Sequence, residues 1–99
     1  MSMRDELMQD TVDIALENAD VALPQIRAEL ERAVRKFGAF HSAHEGYAVL
    51  LEEVDELWDE IKRQKPDYQE MHNEAMHVAT MALRFMVDVT LPKLKTPAN

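Results

Sequence analysis

Between Ala75 and Val89 the chain reads AMHVATMALRFMVDV, and a helix built from it is apolar on nearly every side. Such a helix has to be buried, so the rest of the chain or a second copy must cover it. The whole chain has only 99 residues, which makes one small domain with a modest core of its own. An apolar circumference this wide on so short a chain predicts a homo-oligomer, a dimer or tetramer.

Two glycines and four prolines punctuate a sequence otherwise rich in Ala, Leu, Glu, Met and Arg, which points to an all-α protein. Val12, Ala15, Leu16, Ala19 and Leu23 form a helical stripe that should break before Pro24, predicting a first helix at about 5–20. Pro24 suits the first position of a second helix, about 24–37, with Ile26, Leu30, Val34 and Phe37 inward and Gly38 as its stop. Its outer face reads as ordinary solvated charge. Ser42 and Glu45 have the spacing of a capping box and open a third helix, about 43–63. Asp67 and Glu70 repeat that signal for a fourth, about 68–90, closed by Pro92. The expectation is therefore a four-helix protomer, with residues 1–90 as one domain and 91–99 as a flexible tail.

Nineteen acidic side chains stand against eleven Lys and Arg, a formal charge of -8, which disfavours a nucleic-acid partner. The absence of cysteine excludes disulfides and zinc–thiolate sites. No apolar run reaches the length of a membrane span, and the first residues lack the pattern of a secretion signal, so a cytoplasmic protein is expected.

The acids are unevenly placed. In LLEEVDELWDE, Leu50, Val54, Leu57 and Ile61 share one helical face, with Trp58 at its flank. Glu52, Glu53 and Glu56 share another, about 100 degrees wide. Asp55 and Asp59 turn away and read as solvated. In the last helix Glu70, Glu74, His77, Arg84 and Asp88 make one narrow polar seam. If the last two helices pack antiparallel about a turn near Lys65, residues whose numbers sum to about 130 lie at equal depth. That rule sets Glu56 level with Glu74, and Glu53 level with His77. Carboxylates converging in a half-buried place repel one another unless a divalent cation lies among them. Glu53, Glu56, Glu74 and His77 are thus the candidate metal ligands.

These two segments, LLEEVDELWDEIK and NEAMHVATMALRF, resemble the MazG-like all-alpha NTP pyrophosphatase superfamily, whose mark is E-E-x-x-E followed after a hairpin by E-x-x-D. The likeness covers about 42–88. It implies a metal-dependent nucleoside triphosphate pyrophosphohydrolase that cleaves between the α and β phosphates to give a nucleoside monophosphate and pyrophosphate. Glu52, Glu53 and Glu56 would stand in the first motif as the catalytic acids, with Glu53 and Glu56 as ligands, and Glu74 would open the second. The resemblance implies magnesium. His77 stands where the family has aspartate, and imidazole favours manganese or another divalent transition metal. Lys62, Arg63 and Arg84 are candidate contacts to the substrate phosphates.

Two other functions fit the residues. Glu74 to His77 is also the E-x-x-H motif of di-metal carboxylate bundles, which a homodimer would complete for redox or metal-binding work. A catalytically silent regulator with the same fold is the third reading.

Overall fold

The computed structural model describes residues 1–95 and contains three helices rather than four: α1 (Met3–Phe37), α2 (Ala43–Ile61) and α3 (Tyr68–Phe85). A π-helical turn, Met86–Thr90, and a terminal turn, Leu91–Lys95, prolong α3. The expected break at Pro24 is absent, because α1 runs straight through it. Proline deletes one donor, the one that would serve the Asp20 carbonyl, and its ring crowds the preceding turn, at a cost of about 3 kcal/mol. Pro24 lies on the exposed side of α1, where water can serve that carbonyl. The opposite side holds Ala19, Ala22, Ile26 and Ala33 at steps of three, four and seven, all at least half-buried, and their continuous packing carries the helix across the proline.

Ser42 and Asp67 cap α2 and α3 as expected, but neither makes the reciprocal bond of the expected capping box, and Glu45 accepts from His41 N instead. Ser42 Oγ accepts from Glu45 N at 3.0 Å, and Asp67 Oδ1 accepts from the backbone of Gln69 and Glu70, both at 3.1 Å. Ser2 does the same for Asp5 at the head of α1. The widened turn at Met86–Thr90 ends two residues before Pro92, which has no N–H for the regular ladder. The helix therefore continues past Pro92 to Lys95, inside the segment expected as tail; residues 96–99 of that tail lie outside the described residues.

α3 is the central element. Both α1 and α2 pack on it, while α1 and α2 scarcely touch each other. The molecule measures 49 × 46 × 21 Å, a slab about two helices thick. Its buried apolar core is Ala33, Phe40 and Met81, ringed by Val49, Leu50, Phe85 and Val89. Thr80 is fully buried and returns its hydroxyl to Met76 O at 2.8 Å. Buried Arg84 lies on the Phe40 ring, 4.1 Å from its centroid, and donates to Gly38 O at 2.9 Å. Asp88 accepts from Phe40 N at 2.9 Å. These two seam residues pin the α1–α2 connection onto α3.

The α2 stripe expected as core splits in two. Leu50 and Leu57 are half-buried, whereas Val54, Trp58 and Ile61 are exposed. The reason is geometric: α3 covers one edge of a wide apolar sector, and α1 lies too far away to cover the other. The first sixteen residues of α1, Met3 to Asn18, are all exposed.

Gly46 sets how closely α2 approaches α3. A β-carbon there would stand 2.7 Å from Phe85 Cδ2 and 3.2 Å from Phe40 Cδ2. Gly46→Ala should destabilise the protein by about 1–3 kcal/mol, measured by urea denaturation, because both rings would have to move.

Candidate metal centre

α2 and α3 run antiparallel, and the contact of Gly46 with Phe85 at one end of their interface fixes the register. Seven residues along α2, two turns of helix, Glu53 comes to face Glu74 and His77. His77 Nδ1 lies 3.4 Å from Glu74 Oε2 and 3.7 Å from Glu53 Oε2. One ligand atom from each of the three side chains lies within 4.8 Å of the other two. All three residues are half-buried. This group is able to hold a divalent cation, with two hard oxygens and one imidazole nitrogen as donors.

The electrostatics point the same way. Burial pushes the Glu53 carboxyl up to about 7, and the charge of Glu56 one turn on, with that of Glu74, adds to the rise; His77 opposes it. Glu53 Oε2 is buried and accepts no hydrogen bond. A half-buried carboxylate oxygen without a donor, among like charges, is a group lacking a positive neighbour.

The other candidate residues fall elsewhere. Glu56 is exposed beside Glu53, close enough to act on its charge, but outside the compact group of three. Glu52 is exposed on the outer side of α2. Lys62 pairs with Asp59 at 3.1 Å and Arg63 with Glu60 at 2.9 Å, both at the far end of α2. Arg84 is buried against Phe40 and Gly38 and does not face the carboxylates. Glu45 is a cap: its carboxylate accepts from His41 N at 3.1 Å, and that bond holds it below the usual range.

One residue at the centre went unnoticed in the sequence. Glu29, on the α1 face read as solvated charge, reaches within 3.8 Å of His77 Nε2. Its hydrogen bonds with Arg32 hold its carboxyl below the ordinary value, against a smaller opposing effect of burial. A signal for it existed: Glu29 interrupts the inward run Ala19, Ala22, Ile26 and Ala33 at heptad spacing, a position where an unpartnered acid is out of place.

No family model, curated protein or solved structure matches the chain. The site's geometry and chemistry therefore carry the functional reading.

In metal-free protein the raised Glu53 means that the folded state holds this proton more tightly than the unfolded chain, whose carboxyl titrates near 4.5. Its contribution to stability is full below pH 4.5 and is lost as the pH rises through about 7. In chelator, Glu53→Gln should relieve the cost of burying the ionised carboxylate and raise the melting temperature at pH 8 by about 3–8 °C, a gain that shrinks toward pH 5. Manganese should raise the wild-type melting temperature more at pH 8 than at pH 6, since the cation displaces the proton.

Proposed function

We propose that this protein is a divalent-metal-dependent nucleoside triphosphate pyrophosphohydrolase of the cytosol, releasing a nucleoside monophosphate and pyrophosphate. The observation that carries the reading is the buried, donor-less Glu53 Oε2 facing Glu74 and His77. Together with Glu52 and Glu56, these residues reproduce the E-E-x-x-E and E-x-x-D pattern, with imidazole in the last place.

Glu53, Glu74 and His77 would hold the cation, with Glu56 at its edge. When bound, the cation offsets the triphosphate charge, polarises the phosphoryl group under attack and lowers the pKa of a water. Glu56, exposed beside the group, is placed to take the proton of the attacking water. Water oxygen bonds to the α-phosphorus, the bond to the bridging oxygen breaks, and pyrophosphate leaves with the electron pair. Lys62 and Arg63 stand about 14 Å along α2 from Glu53, so they suit the distal part of a bound nucleotide rather than the reacting phosphates. Near the reaction, charge compensation falls to the cation. His77 favours manganese or cobalt over magnesium.

A panel of nucleoside triphosphates with magnesium, manganese or cobalt, scored for pyrophosphate, tests the reading. Glu53→Gln and Glu74→Gln should each lower kcat/KM by about 100-fold or more, roughly 3 kcal/mol of transition-state stabilisation. No pyrophosphate from any nucleotide with any of the three metals would overturn it and leave a silent helical regulator.

The working unit is a homo-oligomer. The chain exposes 7914 Å² at a mass of 11.4 kDa. A compact monomer of that mass exposes about 5,800 Å², so roughly 2,000 Å² per protomer is in excess, the scale of an obligate interface. Tyr47, Leu51, Val54, Trp58 and Ile61, all more than 40% exposed, form a heptad-spaced seam on α2 that only another helix can cover. Trp58→Glu should shift the protein to monomer in analytical ultracentrifugation. In the wild type, the emission of this sole tryptophan should move to the blue as concentration rises.

A further inference from the structure

α1 carries a second apolar edge that its own chain leaves largely open. Val12, Leu16, Leu23, Leu30 and Val34 lie within about 40 degrees of one another around the helix, about 80 degrees round from the side that faces α3. All but Leu30 are exposed. Leu83 of α3 joins Leu23, Leu30 and Val34 in lining an open groove of about 960 Å³, with Asp20 and Arg27 also in its wall. Along the chain the stripe is symmetrical: its steps are four, seven, seven and four, centred on Leu23.

We propose that this edge joins two copies of the chain through antiparallel α1 helices, paired about a two-fold axis at Leu23. A two-fold contact presents the same patch from both sides, so a stripe that closes it must map onto itself when reversed. This one does: Val12 faces the partner's Val34, Leu16 faces the partner's Leu30, and Leu23 meets its own copy. Charge sets the direction. Met3 to Asp20 holds six acids and one arginine, whereas the rest of α1, to Phe37, holds four basic residues and two acids. Antiparallel pairing lays the acidic half on the basic half; parallel pairing would set acid against acid. Asp20 and Arg27 stand about one turn before and after Leu23, and neither makes an ion pair or hydrogen bond among the described residues. Across the axis each Asp20 meets the partner's Arg27, twice. The partner's Val12 and Leu16, exposed in the single chain, fill the groove beside Leu83. A standard interface covers about 800 Å² of each partner, so closing the α2 seam alone leaves more than half of the excess of roughly 2,000 Å² open. Two different two-fold contacts on one protomer build a closed tetramer.

The tetramer rests on the α2 contact, because a dimer already joined through α2 offers two α1 edges and binds its like bivalently. A lone α1 edge holds weakly, since it must also order its own first turns. The chain has no cysteine, so single cysteines report the α1 pairing directly. Under mild oxidation Leu23→Cys should cross-link to its own copy about 10-fold or more faster than Ile14→Cys, which is exposed on the opposite side of α1. Leu16→Cys should cross-link with Leu30→Cys and not with itself. Leu23 is exposed within the chain, so Leu23→Arg keeps the fold. In analytical ultracentrifugation this variant should sediment at half the wild-type mass, and its residues 3–18 should lose their protection from amide exchange. Self-cross-linking of Leu16→Cys, capture of Leu23→Cys by Trp58→Cys in place of its own copy, or a mass indifferent to Leu23→Arg overturns the proposal. A wild-type dimer that Leu23→Arg dissociates and Trp58→Glu leaves whole sinks the α2 contact while the α1 pairing stands.

Discussion

The contact of Gly46 with the rings of Phe85 and Phe40 is the constraint on which the rest depends. It lets α2 lie close against α3 and sets the register between them. Two helical turns away from that contact, the same register delivers Glu53 to Glu74 and His77. A slip of one residue would swing Glu53 by about 100 degrees and carry its carboxylate out of reach. The glycine that packs the helices and the acid that faces the histidine are therefore parts of one alignment.

The polar seam of α3 does two kinds of work, divided along its length. Toward the C-terminal end, Arg84 and Asp88 bond to the α1–α2 connection, through Gly38 O and Phe40 N. Arg84 Nε is still buried without an acceptor, but the two bonds tie the loop to the core. In the middle, His77 meets the carboxylates of Glu29, Glu53 and Glu74, and Glu53 is left with an oxygen that accepts nothing. A fold normally avoids burying charge without a partner. What sets the middle of the seam apart is the sign of its charge: three carboxylates gather about one imidazole, a group able to hold a cation.

The hairpin was legible in the sequence because its signals are local: Ser42 and Asp67 mark helix starts, and a short turn fixes which residues share a depth. Glu53, Glu74 and His77 followed from that arithmetic. The continuity of α1 was not legible, because Pro24 speaks locally for a break, whereas the packing of Ala19, Ala22, Ile26 and Ala33 that overrides it is tertiary. Losing that continuity also hid Glu29, since on a short separate helix it looked like one more solvated acid. Arg84 shows the converse. Its place in the seam was readable, but its partner, the carbonyl of Gly38, is 46 residues away and has no side-chain signature.

The first half of α1 has one more implication. From Met3 to Asn18 every residue is exposed, so its internal hydrogen bonds and the Ser2–Asp5 cap do most of the work of holding it in shape. Isolated helices of this length are marginal in water. In the proposed oligomer a second copy would supply the missing contacts, so these turns would complete their folding at the moment of assembly and tie the concentration of the chain to its shape.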